Sequence, residues 1–166
     1  MSSNHSKAGA NYLPAYQIPG VPYVTSSVAL EVKGPGAANE PIKVSFPFVT
    51  NFITVRNTGA SELRLAFTFS GSYGPGETQV GGGGAIQHHG PHASRRNYFL
   101  IPTGSGGSDS NGNSQSTQTF NVRCKELFFQ SDTSTATSFS LLAGLTTVNR
   151  NAFPVLSGSN GFEGIG

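Results

Sequence analysis

Tryptophan is absent from this chain, cysteine and methionine occur once each, and charged residues make up only 11% of its 166 residues. Each shortage excludes something. A single cysteine, Cys124, rules out an intrachain disulfide and points to a reducing compartment. Its place within a strand-like pattern reads as a small buried thiol, not a reactive one. Charge at 11% compares with roughly a quarter in ordinary soluble domains. So uncharged a surface suits a protein covered by neighbours, because charge is depleted at interface cores. The net charge is +2, and Arg95-Arg96 is the one adjacent basic pair. Without a basic stripe and interleaved aromatics, sequence-specific nucleic-acid binding is not expected. No run approaches the ~18 apolar residues of a membrane helix, and the polar N-terminus carries no apolar signal segment. The expectation is a chain without a membrane span, made in the cytosol.

Reactive groups are thinly provided. The two aspartates, Asp109 and Asp132, each sit in a polar turn, and the six glutamates are dispersed. No Ser, His and Asp group falls where strand ends would gather it. Carboxylate spacing alone does not exclude glycoside hydrolysis, but without tryptophan the aromatic platforms that grip a sugar are few. Gly81 to Gly84 is followed by neither the Lys-Ser/Thr pair nor the helix of a phosphate loop. His88, His89 and His92 form the one cluster of ligand-like side chains. Two imidazoles share a metal when a helix fixes them on one face, and Gly90-Pro91 between them prevents that. The segment reads as a histidine-rich surface loop; the alternative is a site pooled from symmetry-related loops around an axis. Asp109-Ser110-Asn111-Gly112-Asn113 is like the start of a calcium loop, but the bidentate glutamate that should follow is missing. It reads as a polar hairpin tip. No catalytic, cofactor-binding or metal-ligating residue is assigned, and an enzyme is not expected.

What the chain does have is strands. The clearest runs from Glu62 to Ser70, with Leu63, Leu65, Phe67 and Phe69 alternating against Arg64, Ala66 and Thr68. Val24 to Lys33 places Val28, Leu30 and Val32 on one face and is stopped by Gly34-Pro35-Gly36. Ile42 to Phe46 is ended by Pro47, and Phe52 to Asn57 leads into a turn at Asn57-Thr58-Gly59. Asn97 to Ile101, Gln118 to Arg123, Lys125 to Ser131 and Thr137 to Gly144 complete eight, with Leu142 on the reverse side of the last. Eight short strands in one domain predict an all-β, eight-stranded antiparallel jelly-roll sandwich. An immunoglobulin-like sandwich is the alternative, disfavoured by the missing tryptophan and second cysteine. The expected organisation is an N-terminal arm over 1–20, a single domain over 21–146 and a C-terminal arm over 147–166.

Three segments carry a resemblance: Gln17-Ile18-Pro19-Gly20-Val21-Pro22-Tyr23-Val24, Ser45-Phe46-Pro47-Phe48-Val49-Thr50 and Ser140-Leu141-Leu142-Ala143-Gly144-Leu145-Thr146. Together with the size and strand pattern from Ile18 to Thr146, they make the chain resemble the small single jelly-roll penton, or vertex, proteins of large icosahedral double-stranded DNA viruses. The resemblance is one of pattern and carries no diagnostic motif. It implies a structural virion protein, synthesised in the host cytoplasm, whose homopentamers close the fivefold vertices of a capsid. It also implies arms that contact neighbouring major and minor capsid proteins. A ring needs a heterologous interface, expected at exposed apolar residues such as Phe48, Phe128 or Phe153. The competing reading is a receptor- or carbohydrate-binding head of a viral fibre or another minor capsid component, with a pocket at Tyr73 and Tyr98. A non-viral β-sandwich is a third.

Overall fold

A computed structural model of the chain describes residues 10, 11, 13, 20–32, 41–73, 97–103, 116–157, 160–162 and 165, with 27–32 as backbone alone. The described residues form eight strands: β1 (Val21–Val32), β2 (Ile42–Ser45), β3 (Phe48–Asn57), β4 (Leu63–Ala66), β5 (Tyr98–Ile101), β6 (Thr117–Phe120), β7 (Glu126–Ser131) and β8 (Thr137–Asn149). They form two four-stranded antiparallel sheets, one in the order β1-β8-β3-β6 and the other β2-β7-β4-β5. The all-β expectation holds. The order is nested: first pairs with last, second with seventh, third with sixth and fourth with fifth.

Alternation decides which side chains face inward. Ile53 and Val55 of β3 and Leu141, Ala143 and Leu145 of β8 meet Leu63, Leu65, Leu127 and Phe129 in one closed core. Phe129 and Phe139 stack across the sheets with ring centroids 4.2 Å apart. Edge-to-face aromatic pairs close both open sides of the sandwich, which suits the ring quadrupoles. Tyr23 meets Phe46 at 5.2 Å on the β1–β2 side. Phe99 meets Phe120 at 5.0 Å on the β5–β6 side.

Asn57 joins four parts of the chain at the opposite end from the β4–β5 connection. Its Nδ2 donates to the carbonyls of Ser61 (2.8 Å) and Ile101 (3.2 Å), while its Oδ1 accepts from Gly59 N–H (3.0 Å). The Thr137 hydroxyl lies 3.0 Å from both Asn57 Oδ1 and the Ser61 carbonyl and donates toward that pair. Gly59 has no room for a side chain, because a Cβ there would strike Thr137 and lie 2.6 Å from Ser138 N.

Several boundaries move from those of the sequence pattern. β1 begins at Val21, and Pro22 is tolerated because β1 is an edge strand. β3 begins at Phe48, directly after Pro47, and its register shifts at Thr50. There the Thr50 hydroxyl donates to the Val122 carbonyl (2.9 Å) and accepts from Cys124 N–H (3.0 Å), so β6 ends at Phe120 and residues 121–124 leave the ladder. β8 continues past Gly144 to Asn149, held by the Thr146 hydroxyl on the Val49 carbonyl (2.8 Å) and by contact of Val148 with Val49.

The largest correction concerns the best strand in the sequence. β4 stops at Ala66, and Phe69 turns into a 3₁₀ turn, η1 (Ser70–Ser72). The Ser72 hydroxyl donates to the Phe69 carbonyl (2.7 Å) and Gly71 N–H to Thr68 Oγ1 (3.0 Å). Such local side-chain bonds compete with a ladder. Phe69 consequently lies against Phe128 on the outside of its sheet, at 6.1 Å, and does not share a face with Leu65. Among the described residues no helix is long and apolar enough to cross a membrane.

Candidate functional site

The two outer faces of the sandwich differ. That of the β2-β7-β4-β5 sheet is covered by the chain that follows β4. Arg64, read from the sequence as the polar side of a strand, is only 3% exposed. Its Nε donates to Asp132 Oδ1 at 2.7 Å and its Nη1 to the Ser72 carbonyl at 3.3 Å. Its guanidinium lies 4.4 Å from the centre of the Tyr98 ring, a cation–π distance. Phe128 is covered by Phe69 and by Lys43, whose ammonium sits 5.5 Å from its ring centre while pairing with Glu126 at 2.8 Å.

The outer face of the β1-β8-β3-β6 sheet has no such cover among the described residues. Val24 stands directly opposite Leu142, which stands opposite Thr54 and then Thr119. Val24 is 73% exposed and Leu142 40%. Thr54 and Thr119 share a hydroxyl bond of 2.9 Å at the margin. Phe52 lies over Gly144, where a Cβ would strike its ring. In residues 21–26 and the three partner strands, Arg56 is the only charged residue. An apolar centre with a hydroxyl rim and almost no charge is the make-up of a protein contact surface.

A groove of about 720 Å³ opens at the end of the sandwich where β4 finishes and β5 begins. Leu65, Phe67, Phe99 and Val122 line it from the sandwich, and Phe153 and Leu156 from the segment after β8. That segment is fastened by Lys125 Nζ on the Phe153 carbonyl (3.1 Å) and by the Thr68 hydroxyl on the Ile165 carbonyl (2.7 Å).

Among the residues expected at interfaces, Phe48 is exposed, Phe153 is half-buried against Val49 and Val148, and Phe128, at 6% exposure, is not available. The expected Tyr73–Tyr98 pocket is divided: Tyr98 lines the groove, whereas Tyr73 is buried beside Phe69. His88, His89 and His92, the run from Gly81 to Gly84, and Asp109 to Asn113 lie outside the described residues. Among the described residues no three His, Cys, Asp or Glu side chains converge as metal ligands. The Val24–Leu142 contact was not foreseen. Leu142 had the signal of an apolar residue on the reverse side of a strand, but its partner stands more than a hundred positions away in sequence.

Compared with models of known protein families, the chain matches none. No curated protein matches its sequence either.

Cys124 is a buried thiol, as its setting in the sequence implied. Burial pushes it from 9.0 to about 11; the Thr50 hydroxyl, 3.4 Å away, acts in the opposite direction, and the Glu126 carboxylate adds a further push upward. Above pH 9.0 the unfolded chain releases this proton before the folded chain does, so stability is intact below pH 9.0 and falls until about pH 11. The loss is roughly 2–3 kcal/mol. Urea unfolding at pH 8 and pH 11 should show a larger alkaline loss in the native protein than in Cys124→Ala. Equal losses would show that Cys124 contributes nothing.

Proposed function

We propose that this chain is a structural capsid protein, a jelly-roll penton whose homopentamers close the fivefold vertices of an icosahedral shell. The observation that carries the reading is the nested strand order, first with last through fourth with fifth, in two four-stranded sheets. Eight-stranded double-sheet jelly rolls are used by viral capsid and lectin domains. Of those two, the lectin-like head has less support, because Tyr73 is buried and one face of Tyr98 carries the Arg64 guanidinium. A role in a shell agrees with a chain low in charge, and it makes the protein a building block of the virion instead of an enzyme. Partners on this reading are further copies and neighbouring major and minor capsid proteins.

A closed ring joins unlike faces of successive subunits. The outer face centred on Val24 and Leu142 suits one half of that contact, since burying it removes apolar surface from water and, among the described side chains, strands a single charge, Arg56. Native mass spectrometry of the purified chain tests the reading. Pentamers are expected; trimers would favour a fibre head, and a strict monomer would count against self-closing vertices. Val24→Asp places a carboxylate in the centre of the proposed contact, where an unpaired charge is costly. It should abolish pentamers at micromolar concentration while leaving the unfolding midpoint within about 0.5 kcal/mol of the parent, as for other exposed substitutions. Pentamers that persist in Val24→Asp would remove this face from the interface.

A further inference from the structure

We propose that Arg56 of one subunit pairs with Glu62 of the next, so that the turns joining β3 to β4 and β7 to β8 form the second half of the ring contact. Among the described side chains, Arg56 is the one cation and Glu62 the one anion with neither an ion-pair nor a hydrogen-bond partner. The other charges are engaged within the subunit. Lys43 and Arg150 meet Glu126, Arg64 meets Asp132, and Lys125 donates to the Phe153 carbonyl. Arg123 is engaged as well. Arg56 and Glu62 are both exposed. One uncommitted charge of each sign, on two different surfaces, is what a contact between unlike faces can use.

Arg56 stands on the open outer face, opposite Ser140 and Thr117 and one row from Leu142. Glu62 belongs to a second surface, built from residues 58–62 and 132–136. These two turns are bonded to each other: Asp132 N–H donates to the Glu62 carbonyl at 2.9 Å, and the Ser61 and Thr133 hydroxyls lie 2.9 Å apart. The Ser131 hydroxyl braces the second turn, donating to the Thr135 carbonyl (2.7 Å) and accepting from Thr133 N–H (3.3 Å). Buried Asn57 holds both turns from beneath, through the Ser61 carbonyl and the Thr137 hydroxyl. The exposed residues beside Glu62 in these turns are small: Ala60, Thr133, Ser134, Thr135 and Ala136. Short side chains on a braced backbone lose little freedom on contact. Asp132, the other carboxylate of this surface, is committed to Arg64 at 2.7 Å. A firm surface with one free carboxylate complements an apolar face with one free cation. Seating one on the other takes Val24 and Leu142 out of water. It also gives Arg56, which is costly to bury alone, an opposite charge.

This inference rests on the ring reading and specifies which surfaces the ring joins. Charge reversal in the full chain, read by native mass spectrometry over a dilution series, tests it. Arg56→Glu and Glu62→Arg each set like charges against each other and should raise the concentration of half-assembly about tenfold or more. The double variant Arg56→Glu/Glu62→Arg restores an opposite pair and should assemble within about threefold of the parent. Thermal unfolding should be unchanged in all three, because both positions are exposed. Added salt should weaken the parent and the double variant but favour the single variants, since it screens attraction and repulsion alike. Single reversals that assemble like the parent, or a double variant no better than the weaker single one, overturn the pairing while a pentameric parent keeps the ring. A monomeric parent overturns the pairing and the ring together. Trimers with the same loss and rescue support the pairing and overturn the pentamer.

Discussion

Asn57→Leu should destabilise the fold by about 3–5 kcal/mol, among the largest effects of any single substitution in this chain. Asn57 is fully buried at the end of β3. Its amide uses both donors, on the Ser61 and Ile101 carbonyls, and its oxygen accepts from Gly59 N–H, with the Thr137 hydroxyl also in reach. Leucine has the same number and branching of side-chain heavy atoms with bulkier methyl groups, so it fills the space and admits no water to replace the amide. The buried Ile101 carbonyl then loses a partner, at about 1–3 kcal/mol, and the half-buried Gly59 N–H loses another at a smaller cost. Thr137 retains the Ser61 carbonyl as an acceptor, which limits the damage. A loss near 4 kcal/mol corresponds to a fall of roughly 8–16 °C in Tm for a chain of this size. Thr58→Ala is the comparison, because the Thr58–Ser138 hydroxyl bond is exposed and its removal should cost well under 1 kcal/mol. The check is urea unfolding with an unchanged m-value. A loss below about 1 kcal/mol for Asn57→Leu would mean that the four-way junction is not what holds this end of the sandwich together.

Asn57 also marks the limit of what the sequence makes legible. Asn57-Thr58-Gly59 is readable as a turn, because asparagine and glycine provide turn geometry in any context. Nothing local says that the same amide will reach Ile101 and Thr137, 44 and 80 positions away. The strands follow the same division. β2, β5 and β7 are legible to within a residue of their ends, because their inward and outward residues alternate and prolines or polar runs flank them. β4 is misread beyond Ala66 because Phe67 and Phe69 continue the alternation while Thr68, Gly71 and Ser72 impose a local turn. Arg64 is misread for a different reason. Alternation places it opposite Leu63 and Leu65 correctly, but burial of that opposite face depends on Phe69, Ser72 and Tyr98 returning over it. The open outer face is half legible: Leu142 stands out, whereas the row it makes with Val24 depends on register between the first and last strands.

Arg64→Met should cost about 2–4 kcal/mol and, unlike Asn57→Leu, should also change the surface of the folded protein. Breaking a fully buried ion pair typically costs about 3–5 kcal/mol. Asp132 retains 21% side-chain exposure and can rehydrate, which lowers the figure here. Methionine keeps much of the aliphatic volume but cannot donate to Asp132 or to the Ser72 carbonyl, and it gives up the charge over Tyr98. Those contacts link β4 to β7, η1 and β5 across one outer face. Without them the chain from Phe67 to Tyr73 is held mainly by its own Thr68 and Ser72 bonds, by the Thr68 hydroxyl on the Ile165 carbonyl and by Phe69 on Phe128. Loosening it uncovers Phe128 and Ala66, so the variant should bind an apolar dye such as anilinonaphthalene sulfonate under conditions where the parent does not. A double-mutant cycle with Asp132→Asn separates the ion pair from the other two contacts. A coupling of about 1–3 kcal/mol is expected between Arg64 and Asp132, and a value near zero would assign the stabilisation to Tyr98 and Ser72 instead. Because this cover lies on the face away from Val24 and Leu142, Arg64→Met should leave the proposed ring formation through the Val24 face possible while adding a second sticky surface. Higher assemblies that appear in Arg64→Met and vanish when Val24→Asp is added would implicate both faces, since an assembly that joins unlike faces of identical subunits needs each.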